Sequence, residues 1–214
     1  MSVIAAAVTE ETVDRYRGVV EQIKGFAQRV HIDISDGEFA PNFLVPENQL
    51  YWPAGWQVDI HAMVSHPSMH VEALIGLKPH TIIFHAEAAE DILPVINQVK
   101  AANIQAGVAL LRSTVPAVVT PLIQAADHVM IFSGELGQHG GVASLMQLEK
   151  VRLIKNINPN VEIGWDGGVS AENAYTLSQG GVDVLNAGGA IANAPDPAAA
   201  YDLLVKEINK HGII

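Results

Sequence analysis

The chain has 214 residues, 49% of them hydrophobic, and a formal net charge of −11 at pH 7. This length predicts one domain over residues 1–214, because single α/β barrels run to about 200–250 residues. The acidic balance argues against nucleic acid and anionic membranes as partners, since phosphate backbones are bound through clustered Lys and Arg. The sequence contains no cysteine. This excludes disulfides, thiolate nucleophiles and Cys-ligated zinc, so any metal must be bound by His and carboxylate.

The N-terminal segment MSVIAAAVTEETVDRYR does not resemble a signal peptide. It lacks a basic region followed by an apolar one. The sequence also has no run of about 18 uncharged apolar residues, the length that a membrane-spanning helix needs. We therefore expect a cytoplasmic protein.

Short apolar runs rich in β-branched residues alternate with longer stretches of helical character. Segments such as Glu10–Gln28 and Ala89–Ala102 are amphipathic or alanine-rich, and Thr9 to Thr12 at the start of the first are typical of a helix N-terminus. Continuously apolar strands are typical of a parallel sheet that is buried on both faces. The predicted strands are Val3–Ala7, Val30–Ile34, Val58–Met63, Thr81–Phe84, Ala106–Leu110, His128–Phe132, Val161–Trp165 and Val182–Asn186.

Repeated βα units fit either an open doubly wound sheet or a closed barrel. Eight strands in this length favour a (β/α)8 TIM barrel. A doubly wound nucleotide-binding fold usually has a Gly-rich turn after its first strand, whereas Val8 and Thr9 follow here. The polar, Pro-containing segment Phe43–Trp56 is predicted to be a long loop after the second strand, serving either function or the packing of its aromatic residues.

Four side chains that can bind a metal fall at the carboxyl ends of predicted strands. His31 and Asp33 are two residues apart and so share one face of the second strand, while His61 and Asp166 end the third and seventh. In a barrel these ends form one rim. Taken singly, each is also explained as a core histidine or a helix-capping aspartate. Two neighbouring buried carboxylates are costly without a cation, so we interpret the set as the site of one divalent metal. Mixed nitrogen and oxygen ligation suits zinc, iron(II), manganese or cobalt.

Glycine-rich turns follow three late strands. Glycine lets backbone N–H groups approach an anion closely, and barrels often bind phosphate after strands seven and eight. Tight turns without a ligand are the alternative. The predicted phosphate-binding residues are Gly137, Gly140, Gly167, Gly168, Gly188 and Gly189.

The stretch HIDISDGEFAPN, residues His31 to Asn42, resembles the signature of the ribulose-phosphate 3-epimerase family, His-x-Asp-x-Met-Asp-Gly-x-Phe-x-Pro-Asn. Further matches follow in the family's order, and together they cover nearly the whole chain. They are Asp59–Met63, Phe84–Ala88, Asp166–Val169 and Asn186–Ile191.

The resemblance implies an isomerase of the pentose phosphate pathway that interconverts ribulose 5-phosphate and xylulose 5-phosphate. It implies that His31, Asp33, His61 and Asp166 bind the catalytic metal, which stabilises an enediolate as a Lewis acid. Asp33 and Asp166 would double as acid and base on opposite faces of C3.

Four further residues are assigned supporting roles. Met63 is expected to pack above the enediolate or to fill the core. His85 and Glu87 are expected to orient the metal ligands or to support a loop, and Asp36 to orient its loop, to bond a ligand histidine or to cap a helix.

Several positions depart from the family pattern. The Pro-Ser pair of the first strand is replaced within Ile4–Ala7, the Met before Asp-Gly is Ser35, and the Gly-Ser after strand eight is Gly188-Gly189. The loop after strand six also differs. These changes affect substrate contacts and spare the metal residues.

Two other functions therefore stay open: an epimerase of a hexulose 6-phosphate such as allulose 6-phosphate, and a non-catalytic sugar-phosphate-binding barrel. Related decarboxylating or aldol barrels use an Asp-x-Lys-x-x-Asp array, and no lysine lies within His31–Asp36. We expect a homo-oligomer, the common state of such barrels.

Overall fold

The computed structural model describes residues 2–134, 136 and 141–210. Eight parallel strands close into a barrel in chain order, with β1 paired to both β2 and β8, which confirms the predicted TIM barrel. The strands are β1 (Val3–Val8), β2 (Arg29–Ser35), β3 (Gln57–Met63), β4 (Thr81–His85), β5 (Gln105–Leu110), β6 (His128–Phe132), β7 (Glu162–Asp166) and β8 (Val184–Ala187).

Helices follow most of the strands and pack against the outside of the barrel. Within the described part of the chain, no helix is long and apolar enough to cross a membrane. The helices are α1 (Val13–Ile23), α2 (Val71–Leu77), α3 (Leu93–Ala101), α4 (Thr120–Ala125), α5 (Glu149–Ile157), α6 (Ala174–Gln179), α7 (Gly189–Ala192) and α8 (Pro197–Ile208).

The alternation of β2 shows how the sequence separates the inside of the barrel from the outside. Val30, Ile32 and Ile34 belong to the large hydrophobic cluster that also contains helix residues such as Tyr16 and Val20. The intervening polar side chains therefore point into the barrel. All seven residues of β2 are buried, so this strand has no solvent-facing side.

A buried ionic cluster occupies the barrel interior at the N-terminal ends of the strands. Arg29 Nε donates to Asp59 Oδ2 at 2.6 Å, and its Nη1 and Nη2 donate to the two Glu162 carboxylate oxygens at 2.8 and 2.7 Å. His128 Nδ1 lies 2.8 Å from Glu162 Oε2. Burial alone raises the pKa of Glu162, but its bonds to Arg29 and His128 lower it by more, so the pKa lies below its usual range.

Helix α1 is shorter than the predicted segment Glu10–Gln28. It starts at Val13, because the Thr12 hydroxyl accepts the backbone N–H of Arg15 at 3.4 Å and so caps the first turn. Thr9, predicted to help begin this helix, instead follows β1 directly.

The connection between β2 and β3 has no α-helix over residues 36–56, all of which the structure describes. It contains a single 3-10 turn, Glu47–Gln49. Pro41, Pro46 and Pro53 lack the backbone N–H that a continuous helix requires. The predicted loop at Phe43–Trp56 is thus confirmed, and it covers the outside of the barrel where a helix usually lies.

Candidate metal centre and substrate cavity

A cavity of about 310 Å³ opens at the carboxyl ends of the strands. Its polar wall includes Asp33 from β2 and Asp166 from β7, and its apolar wall includes Met63 and Phe132. Loop residues close the sides. The remaining lining residues in the described part of the chain include Ala7, Thr9, Ser35, Gly167, Gly168, Asn186, Gly188 and Gly189.

Strand register brings the four predicted metal ligands together at one side of this cavity. Asp33 pairs with His61 across β2 and β3, and one ligand atom from each of His31, Asp33, His61 and Asp166 lies within 4.8 Å of every other. Asp33 Oδ1 is 2.8 Å from His61 Nδ1 and 3.2 Å from His31 Nε2. Both imidazoles are fully buried.

These side chains fit a divalent cation. Among the described residues, neither ring nitrogen of His31 has a hydrogen-bond partner, although Nε2 lies 3.2 Å from the Asp33 carboxylate. A buried polar atom without a partner is costly, and coordination through one nitrogen relieves that cost. Two imidazoles and two carboxylates are a ligand set that suits zinc, iron(II), manganese or cobalt.

The two carboxylates have opposite electrostatic environments. Burial raises the pKa of Asp33, but attraction by the neighbouring His31 and His61 rings more than offsets it, so the pKa lies well below its usual range. Burial also raises the pKa of Asp166, and repulsion by the nearby Asp33 carboxylate raises it further. Of the two, Asp33 therefore loses its proton more readily.

His85 and Glu87 lie next to the cluster and contact it through His61. His61 Nε2 is 2.8 Å from His85 Nε2, and His85 Nδ1 is 3.3 Å from Glu87 Oε2. Burial lowers the pKa of His85 to about 4, so this imidazole is neutral at pH 7. If its single proton is on Nδ1 and donated to Glu87, its Nε2 accepts from His61 Nε2–H. That pattern leaves His61 Nδ1 unprotonated and directed at the cluster.

Glu87 is itself fixed by the neighbouring strand end. Its Oε1 accepts the backbone N–H of Leu111 at 2.9 Å and the hydroxyl of Thr114. Burial raises the pKa of Glu87, but its bonds to His85, Thr114 and the Leu111 backbone outweigh burial and hold the pKa below its usual value. The carboxylate is therefore ionised and able to hold His85.

Asp36 organises the loop after β2. Its Oδ1 accepts the backbone N–H groups of Glu38 and Phe39 at 2.8 and 2.9 Å, and its Oδ2 accepts that of Ser65 at 2.7 Å. Met63 is 5% exposed and packs with Ala40 and Leu44, residues that line the cavity as well.

The glycines predicted to bind phosphate divide into two groups. Gly167, Gly168, Gly188 and Gly189 line the cavity at the ends of β7 and β8. Gly167 has φ 103°, and a Cβ there would lie 2.1 Å from the backbone nitrogen of Gly134, so only glycine fits. Gly137 and Gly140 lie outside the described residues.

Two polar residues of the cavity wall were not singled out from the sequence as site residues. The hydroxyl of Thr9 donates to Asp33 Oδ2. Asn186 lies in β8 beside Asp166, and its buried Oδ1 has no hydrogen-bond partner in the part of the chain that the structure describes. Its Nδ2 lies 3.4 Å from Met130 Sδ. Asn186 could have been predicted as a site residue, because it is a polar residue within an apolar strand. The sequence around Thr9 instead indicated the start of a helix.

Comparison with known proteins identifies matches along most of the chain. The model of the ribulose-phosphate 3 epimerase family matches residues 3–192. A ribulose-phosphate 3-epimerase from Helicobacter pylori is 30% identical over 184 residues, which cover 82% of this chain and 84% of that protein. The cytoplasmic isoform of ribulose-phosphate 3-epimerase from Oryza sativa is 29% identical over 189 residues, covering 85% and 83% of the two chains.

Solved structures with the same fold are more distant in sequence. The 3-hexulose-6-phosphate synthase from Salmonella typhimurium superposes with a TM-score of 0.73 at 18% identity, covering 97% of this chain and 98% of that one. KGPDC from Streptococcus mutans gives a TM-score of 0.73 at 12% identity, with 97% of each chain covered. At these identities the likeness supports the barrel fold alone.

Proposed function

The chain belongs to the ribulose-phosphate 3-epimerase family, and from that premise we propose that it inverts C3 of a ketose phosphate, interconverting ribulose 5-phosphate and xylulose 5-phosphate. The observation that carries this proposal is the convergence of Asp33 and Asp166, from β2 and β7, on one cavity together with two imidazoles. Inversion by proton transfer needs one group to remove a proton and a second to return one to the opposite face.

The two carboxylates are the groups proposed to move the proton. With the ketose in the cavity, one of Asp33 and Asp166 takes the C3 proton, and the electron pair of the C–H bond passes towards the C2 carbonyl to give an enediolate. The other carboxyl group then delivers a proton to C3 from the far side. The four clustered side chains would hold a divalent ion, which would supply positive charge to stabilise the negative charge that develops.

The substrate phosphate is proposed to bind at the ends of β7 and β8. Gly167, Gly168, Gly188 and Gly189 line this part of the cavity, where the absence of side chains lets backbone N–H groups face an anion. A cavity of about 310 Å³ suits a small ligand of this class. Gly137 and Gly140 remain candidates for phosphate binding from the sequence alone.

His85 and Glu87 are proposed to position His61. A metal-binding histidine is oriented by the group that holds its second nitrogen, and here that group is His85, fixed in turn by Glu87. Asp36 is proposed to shape the loop that covers the cavity, and Met63 to pack against the planar intermediate.

The test is solvent exchange at C3. Protein loaded with Mn²⁺ is incubated with ribulose 5-phosphate in deuterated water, and both epimers are followed by NMR. We expect xylulose 5-phosphate to form with deuterium at C3. Asp33→Asn and Asp166→Asn should each reduce inversion by about 10²–10⁴-fold, and each should still exchange C3 of one epimer only.

Asp14→Asn is the matched control, because the Asp14 side chain is 96% exposed on α1. Its inversion rate should equal that of the wild type. Undiminished inversion in either the Asp33 or the Asp166 variant would remove that residue from the mechanism.

The same assay decides between the proposed substrate and a hexulose 6-phosphate. Ala7 and Gly189 line the cavity, and both belong to segments in which this chain lacks the serine of the family pattern. A higher kcat/KM for allulose 6-phosphate than for ribulose 5-phosphate would reassign the substrate. No exchange with either compound would indicate a sugar-phosphate-binding protein without activity. We further propose that the protein is cytoplasmic and that it forms a homo-oligomer. Light scattering of the purified protein tests its oligomeric state.

A further inference from the structure

We propose that Thr9 is a positioning residue for Asp33, whose carboxylate it holds in the orientation that the metal site requires. The inference rests on the metal site of the proposed function, and it concerns a residue outside the predicted set of ligands and bases. It explains how a hydroxyl-bearing side chain is used at the end of a first strand that is otherwise apolar.

The β1–β2 register places Thr9 beside Asp33. Val8 is level with Ile32 in this pair of strands, so the next residue of each strand follows at the same height. The Thr9 hydroxyl donates to Asp33 Oδ2, and both side chains line the cavity. Ala7, which also lines the cavity, offers no hydroxyl.

The two oxygens of Asp33 have separate partners. Oδ1 faces the imidazoles, at 2.8 Å from His61 Nδ1 and 3.2 Å from His31 Nε2, whereas Oδ2 accepts from Thr9. A carboxylate oxygen has two lone pairs, so Oδ2 keeps one for a ligand in the cavity. Thr9 therefore fixes the carboxylate without blocking it.

This contact is effective because of the torsions involved. The χ2 angle of aspartate is broad and roughly two-fold, so packing alone does not fix the plane of the Asp33 carboxylate. Threonine is β-branched and stiff at χ1, which holds its hydroxyl in place. A hydrogen bond to an ionised acceptor is also stronger than one between neutral groups. Without the Thr9 hydroxyl, only the contacts to His31 and His61 hold the plane of the Asp33 carboxylate.

The first test measures Mn²⁺ binding by isothermal titration calorimetry after removal of bound metal. Thr9→Val deletes the hydroxyl and keeps the branched shape, and should weaken Mn²⁺ binding by about 10–100-fold, the usual loss when the partner of a metal ligand is removed. Thr9→Ser keeps the hydroxyl and should rescue binding to near the wild-type value. Thr120→Val is the matched control, since that hydroxyl is exposed and bonds only to the Ala117 carbonyl in the described structure.

The second test separates positioning from substrate contact. With ribulose 5-phosphate, Thr9→Val should lower kcat and leave KM nearly unchanged. Wild-type Mn²⁺ affinity in Thr9→Val, or a raised KM with unchanged kcat, would overturn the inference. If Thr9→Val does not fold by circular dichroism, Thr9→Ala is measured in its place and read in the same way. If the protein turns over no ketose phosphate, the proposed function fails while the Mn²⁺ series still decides the role of Thr9.

Discussion

Replacing Arg29 with methionine tests how far the barrel depends on the ionic cluster at the N-terminal ends of its strands. Arg29 makes three hydrogen bonds there, one to Asp59 and two to Glu162. Methionine occupies similar space without donating any of them. The change leaves two carboxylates without their cation, and Asp59 is only 1% exposed.

The expected loss of stability follows from the burial of those carboxylates. Removing one partner of a buried ion pair costs about 3–5 kcal/mol, because the remaining charge stays desolvated. The side chain of Glu162 is 30% exposed and partly screened, so the lower end of the range applies. For a domain of 150–250 residues, about 3 kcal/mol corresponds to a fall in Tm of roughly 6–12 °C.

The assay is thermal unfolding at pH 7 followed by circular dichroism, with urea unfolding as a second measure. Arg152→Met is the control, because Arg152 pairs with Glu149 on the exposed side of α5, and its Tm should not change. The triple variant Arg29→Met/Asp59→Asn/Glu162→Gln should recover much of the loss, since no unpaired charge remains. An Arg29→Met protein with the wild-type Tm would refute the reasoning.

Three further outcomes follow from the structure. Glu87→Gln should weaken Mn²⁺ binding about 10-fold or more in calorimetry, because His85 loses the ionised acceptor that orients it; unchanged affinity would contradict this. Gly167→Ala should lower the free energy of unfolding by more than about 1 kcal/mol, because φ is 103° and the added Cβ clashes with backbone. Gly18→Ala, in open space on α1, should instead raise the free energy of unfolding by about 0.5–1 kcal/mol. If urea titrations give the same change in unfolding free energy for both variants, the backbone strain expected at position 167 is absent. The folded-state pKa of Glu162 is depressed, so its ionised form stabilises the fold above its usual pKa of 4.5, and this contribution is lost as pH falls below that value. Urea midpoints between pH 7 and 3 should therefore fall more steeply for the wild type than for Glu162→Gln.

The proposed metal-binding residues were the part of the candidate site that the sequence predicted best, because they follow the alternation of side chains along the strands. The two-residue spacing of His31 and Asp33 placed both on one face of a strand, and strand order placed His61 and Asp166 at the same rim. The structure brings these four side chains together. Their position depends only on which strand carries each residue and on the closure of the barrel, and both can be read from the order of apolar runs.

Contacts between residues far apart in sequence were not predicted. Thr9 lies 24 residues from Asp33, and Arg29 lies 133 residues from Glu162. Local patterns assigned Thr9 to the start of a helix, because threonine is common there, and the strand register decided otherwise. The ends of α1 were misplaced for a related reason, since the Thr12 cap depends on the backbone conformation rather than on composition.

The helix-free connection over residues 36–56 has a consequence for the time course of ligand exchange. The strands are held by continuous backbone ladders, whereas this connection is joined to the rest of the protein by separate bonds. Examples are the Val45 N–H to the Glu10 carbonyl at 3.0 Å and the Tyr16 hydroxyl to the Tyr51 carbonyl at 2.6 Å. Local opening of such a segment costs less than global unfolding. Amide protons of the connection should thus exchange with solvent well before those of β2 and β3, and a ligand should enter the cavity through local opening while the barrel stays closed.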